Sequence, residues 1–162
     1  MLAWSTSYPA RALRAFRGLD GEQRRVALAS TVALPVLHVA ARLGGLRWVR
    51  RVLWLRGGPG GVAIDVATGR RLAQPIAAVA HRLRLDRRGC VARATFLWWV
   101  LQRRGVAAEV VIGSRRVAGE FEAHAWVEVG GEPVDDAADV RERFAAFEGR
   151  ASVMRTPGGA AR

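Results

Sequence analysis

Hydrophobic positions recur along this chain at two spacings, and the spacing changes once. Up to about residue 104 they step by three and four; beyond Gly105 they alternate. Leu13, Phe16 and Leu19 predict a helix over 9–19, and Val26, Leu28, Val32 and Leu34 predict one over 22–34. The run from Val26 to Ala41 is the most apolar stretch, interrupted by Pro35 and His38. It is shorter than the roughly 20 residues a spanning helix needs, and it reads as a buried helix with a kink or break near Pro35. A third helix is expected over 45–55, ended by the glycine-rich segment 56–61. Residues 75–84 predict a short helix with Pro75 in its first turn. The next helix opens at Cys90 and runs to about Arg104. It is apolar on nearly every side (Val91, Ala94, Phe96, Leu97, Trp98, Val100, Leu101), so it must be buried. Gly105 ends it.

The period then becomes two. Residues 106–113 predict a strand, 114–120 a loop, and 121–129 a second strand. In that strand Phe121, Ala123, Ala125, Val127 and Val129 share one face, and Glu122, His124, Trp126 and Glu128 share the other. Gly130–Gly131 signal a hairpin turn, with 132–136 as the return strand. Helices first and antiparallel strands last define an α+β domain. The expected organisation is a helical region over 1–60, a core over 61–150 and a frayed tail over 151–162.

Composition changes this picture little. The net charge of +12 invites a nucleic-acid reading, but all 26 basic residues are arginine, a pattern that coding bias toward GC also produces. No zinc knuckle, aromatic-glycine RNA motif or helix-turn-helix accompanies the charge, so no nucleic acid is expected. The single cysteine excludes an internal disulfide framework and any multi-cysteine zinc site, and is compatible with a reducing cytosol. The N-terminus lacks the apolar core of a signal peptide. A cytoplasmic protein with no stable membrane span, no metal and no cofactor is the expectation. The glycine-rich segment is no phosphate cradle, because no Gly-Lys-Ser or Gly-Lys-Thr follows it.

The chemistry concentrates in three elements. Cys90 lies at the start of a buried helix, where unpaired N–H groups and the helix dipole favour a thiolate. Gly89 keeps the approach to the thiol clear. His124 projects from the polar face of a strand, and Asp135 or Asp136 follows on the neighbouring one. Nucleophile, base and orienter in that order are what thiol acyl transfer requires. Each residue also has a plainer role: a lone cysteine as a small buried hydrophobe, a histidine as a cross-strand contact, an aspartate as the cap of a helix through 137–147. The carboxylate stays open. A two-residue turn at Gly130–Gly131 pairs Val129 with Glu132 and puts Asp135 across from Trp126, on the His124 face; a bulged turn brings Asp136 round.

The segment GCVARATFLWWVLQRRGVAAEVVIG, followed by AHAWVEVGGEPVDD, resembles the transglutaminase-like leader peptidases of lasso-peptide biosynthesis. The matching features are Cys90, Arg93 and Ala94; Arg103 to Gly105; Ile112 and Gly113; and Ala123 to Glu128. The resemblance spans roughly 75–140, while 60–73 match no feature of that family. It implies a transglutaminase-like, papain-like cysteine protease core with Cys90, His124 and Asp136 as the triad, the family's His-to-Asp spacing favouring Asp136 over Asp135. It also implies a leader peptidase acting on a ribosomally made precursor peptide, beside a lasso cyclase. With 1–60 reading as helix, no strand-rich leader-recognition domain is expected in this chain, so a separate leader-binding protein is. The rivals are a transglutaminase-type acyl transferase using the same triad, and a non-enzymatic basic binding protein.

Overall fold

A computed structural model describes residues 16–54, 62–85 and 88–147. Residues 9–15 of the first expected helix, the segment 55–61 and the tail 151–162 lie outside these. Three helices lead: α1 (Gly21–Trp54), α2 (Val66–Arg82) and α3 (Cys90–Gln102). Strands β1 (Ala108–Val117), β2 (Glu120–Val129) and β3 (Glu132–Pro133) follow, then a single helical turn α4 (Val140–Arg143) and β4 (Ala145–Ala146). The four strands form one antiparallel sheet in the order β3-β2-β1-β4, as the expected α+β class requires.

The N-terminus of α1 is set by a reciprocal cap. The Gln23 N–H donates to Asp20 Oδ1 (2.8 Å) and the Asp20 N–H to Gln23 Oε1 (3.1 Å). Two expected helices, 22–34 and 45–55, are one: α1 runs through Pro35 without a break. Proline removes a single N–H, and burial of Leu34 and Leu37 on either side offsets that loss. The uninterrupted segment Gly21–Gly44 is long and apolar enough to cross a membrane. Its burial is one-sided, where burial throughout was expected. Val26, Ala27, Ser30, Leu34 and Leu37 pack inward against α2 and α3, while Leu28, Val32, Val36, Val39 and Leu43 stay exposed.

Helix α2 begins nine residues before Pro75, which sits inside it rather than in its first turn. The start signal is Asp65, whose Oδ1 accepts the Thr68 N–H at 2.9 Å. Leu72, Ala73, Ile76, Val79 and Ala80 then form a stripe that tertiary packing rewards more than the proline disrupts. Gly69 has a packing reason: a Cβ there would lie 2.8 Å from the Val134 side chain. That contact holds the chain just before Asp135 and Asp136.

Helix α3 is the centre of the molecule. Ala92, Ala94, Phe96, Leu97 and Leu101 are each at most 3% exposed. At roughly 1.5–3 kcal/mol for each large apolar side chain buried, this helix is fixed by packing more than by its own propensity. Trp98 Nε1–H and Gln102 Nε2–H both donate to the Ala108 carbonyl, at 3.1 and 3.3 Å, tying the helix to β1. The backbone leaves α3 through Gly105 at a φ of 73°.

β1 and β2 pair over ten residues, from Ala108 with Val129 to Val117 with Glu120. Four of the expected loop residues, 114–117, thus belong to β1, and the turn is only Ala118–Gly119. The expected return strand is correspondingly short. Gly130–Gly131, both at positive φ, make the two-residue turn and pair Val129 with Glu132, but the ladder ends at Pro133.

Candidate active site

Cys90 is the first residue of α3, capped by Gly89. The glycine is required by a neighbour rather than by the thiol. Its N–H donates to the Leu85 carbonyl at 2.8 Å, and a Cβ would lie 2.5 Å from that oxygen. The Cys90 side chain is largely buried and meets the edge of β2. Burial pushes the thiol up, but hydrogen bonds from the His124 imidazole and from the backbone N–H groups of Ala125 and Val91 outweigh it, and the thiol ends below its ordinary value.

His124 Nε2 lies 2.7 Å from Asp136 Oδ2, which leaves Nδ1 as the ring nitrogen for the sulfur. The ring is held between aromatic neighbours, Phe144 at 4.9 Å and Trp126 at 6.1 Å between centroids. Gly113 stands directly across from His124 in the register. A Cβ there would lie 2.9 Å from the Trp126 ring, so glycine lets this aromatic layer close over the strand. The Asp136 hydrogen bond first, and the Cys90 contact second, raise the imidazole to about 9 against the cost of burial. A thiolate and an imidazolium in this arrangement therefore stabilise one another.

Asp136 is shaped by the same contacts. Burial pushes its carboxyl up, yet His124, the Ala137 N–H (2.9 Å) and Arg143 (2.9 Å) hold it down at about 2. Asp135 points elsewhere. Its Oδ1 accepts the Val127 N–H at 2.7 Å, where a third β3 residue would otherwise supply a carbonyl. Its Oδ2 faces Arg93 Nε at 3.7 Å, and burial raises this carboxyl to about 6. The turn is the two-residue type that assigned Asp135 to the His124 face, so that parity argument fails at its second step. Parity holds only while the strand continues, and here the chain leaves the sheet after Pro133, so the next carboxylate reaches the imidazole.

Two neighbours had no role in the sequence reading. Arg93, matched there as a family feature only, stands one turn after Cys90 and lies 3.7 Å from both aspartates. Glu128, placed on a polar face with His124, is in fact buried. It accepts Trp126 Nε1–H at 2.7 Å and both Nε–H and Nη2–H of Arg141, at 2.7 and 2.6 Å. These bonds lock the side chain next to His124 on the same strand face. Among the described residues no cluster of His, Cys, Asp and Glu is suited to a metal ion.

What this arrangement can do is polarise a thiol, accept and return a proton, and present N–H donors beside the sulfur. Comparison with curated proteins returned no match, and neither did comparison with solved structures. A family model does match, the transglutaminase-like superfamily, over residues 33–148. That span takes in α2, α3, the sheet and all of Cys90, His124, Asp135 and Asp136. The superfamily is one of cysteine proteases and acyltransferases, and this chain belongs to it.

Proposed function

We propose that this protein is a cysteine peptidase in which Cys90, His124 and Asp136 form the catalytic triad. The observation that carries the reading is the 2.7 Å contact between His124 and Asp136, with the other side of the imidazole on the Cys90 sulfur. The thiolate attacks a peptide carbonyl carbon, and the N–H groups of Ala125 and Val91, which point at the sulfur, become donors to the oxygen that turns negative as the sulfur loses its charge. The carbon–nitrogen bond breaks as the His124 imidazolium gives its proton to the leaving amine. A thioester remains. Neutral His124 then takes a proton from water, whose oxygen displaces the sulfur, releasing a carboxylic acid and restoring the thiolate–imidazolium pair. Asp136 holds the ring so that Nδ1 faces the sulfur and stabilises its charged form.

The substrate, on the resemblance of the Cys90 and His124 segments, is a ribosomally made lasso-peptide precursor, cut between leader and core. In this reading the protein works in the cytoplasm with a separate leader-binding protein and delivers the core to a cyclase. Incubating the protein and that partner with the precursor, followed by intact mass, tests it. Free leader plus free core, absent with Cys90→Ala, is the expected result. A leader joined to an added amine instead would identify an acyl transferase, and an intact precursor would reject the reading.

A further inference from the structure

The backbone of β2 has three kinds of neighbour along one edge. In the register with β1, even-numbered residues turn their N–H and C=O toward β1, and odd-numbered ones turn theirs outward. Val127 fixes this parity: its carbonyl accepts the Val134 N–H at 3.0 Å and its N–H donates to Asp135. Val129 is paired with Glu132. The next outward N–H, that of Ala125, goes to the Cys90 sulfur. Beyond it, the outward groups of Ala123 and Phe121 have no backbone partner among the described residues. Among the described residues the edge is thus closed by β3, then occupied by the nucleophile, then open.

We propose that this open edge, from Ala125 back toward Glu120, is the subsite for the acyl side of the substrate, which binds as an extended peptide added to the sheet. The inference rests on the thiol chemistry proposed above and adds to it how the substrate is held. An exposed strand edge is a template for another extended chain, and proteins that need no such partner blunt it with proline, lysine or a bulge. Between Glu120 and Ala125 there is no proline and the register is unbroken; the charged residues there are Glu120 and Glu122. At about 3.3 Å per residue, Ala123 and Phe121 offer their groups about 7 and 13 Å from Ala125, the reach of two to four substrate residues. Phe121, 66% exposed, adds an apolar contact at the far end. The direction follows from His124. Its ring lies on the sheet face with Trp126 and Phe144, so the departing amine meets it there. The acyl side, which stays on the sulfur as thioester, takes the edge. Main-chain pairing reads little side-chain identity, so the ligand class is any extended peptide whose backbone N–H groups are free at the pairing positions.

Activated esters test this without knowledge of the natural precursor. The sulfur–carbon bond forms, the carbon–oxygen bond breaks, and p-nitrophenolate leaves. The probes are acetyl-Gly p-nitrophenyl ester and acetyl-Thr-Val-Thr-Val-Gly p-nitrophenyl ester. The longer probe is expected to show a kcat/KM at least about tenfold higher, since it can make several pairing hydrogen bonds that the shorter one lacks. N-methylation at every second residue removes that advantage and at the intervening residues keeps it. Phe121→Pro, at a position whose N–H faces outward and is not needed by β1, brings the ratio of the two probes toward one. Equal rates for both esters, or N-methyl effects without alternation, would overturn the edge subsite while leaving the thiol chemistry standing. Failure of both esters to acylate Cys90 would remove the chemistry and the subsite together.

Discussion

Asp135 and Asp136 are consecutive and both lie 3.7 Å from Arg93, yet their other partners differ. Asp135 is buried at the edge of β2, taking the place of a missing strand residue on Val127 and facing Arg93. Asp136 sits at the thiol side, on His124 and Arg143. Burial acts on both, and it wins in one and loses in the other: Asp135 is pushed up to about 6, whereas charged and N–H donors hold Asp136 at about 2. The difference teaches that one carboxylate is built to carry charge beside an imidazolium and the other to close a backbone ladder.

The comparison breaks most visibly in the residues Asp136 serves. Cys90→Ala should reduce peptide cleavage to background, and His124→Ala should cost on the order of 10³-fold or more in kcat, measured on the same precursor. Next come the two aspartates. Asp136→Asn should lower kcat by on the order of 10²-fold or more, because the amide neither stabilises the imidazolium nor fixes its tautomer. Asp135→Asn keeps an acceptor for Val127 and should leave kcat within about tenfold. Equal losses in the two variants would erase the distinction.

Stability against pH sharpens it further. The depressed carboxyl of Asp136 contributes stability above its ordinary value near 3.8, and that contribution is lost as pH falls toward 2. His124, raised to about 9, contributes below 6.5 and loses it as pH rises through 9. Asp135 is raised, so its contribution is present below 3.8 and lost as pH rises through about 6. Urea midpoints should therefore show Asp135→Asn gaining on the parent between pH 4 and 7. Asp136→Asn should lose least on acidification below pH 4. The smallest expected effect is that of Arg143→Ala. Its guanidinium is a partly exposed second partner of Asp136, and removal should change kcat less than about threefold.

How much of this was readable in the chain depends on what each feature rests on. The helix opening at Cys90 and the His124 strand follow from local pattern, an all-apolar helix after a glycine and a clean alternation, and both stand where the pattern put them. Helix boundaries were misread where proline was treated as decisive. Pro35 and Pro75 lie inside helices because packing against neighbours, invisible in one segment, outweighs one lost N–H. The aspartate nearest His124 could not be derived from turn type, since the strand stops at Pro133 and the next contacts, Val134 with Gly69 and Asp135 with Arg93, are distant in sequence. The burial of Glu128 was hidden for a related reason. Alternation marks two faces, but not that α4 would cover the second one with Arg141.

The central claim is that Asp136, through His124, keeps Cys90 as a thiolate. The rate of Cys90 alkylation by iodoacetamide, followed against pH, tests it most directly. The onset of reaction in the parent should lie below the pH at which an ordinary thiol ionises, near 8.5. Asp136→Asn should move that onset upward, and Asp135→Asn should leave it in place. An onset near 8.5 in the parent, or one that both asparagine variants move alike, would contradict the account.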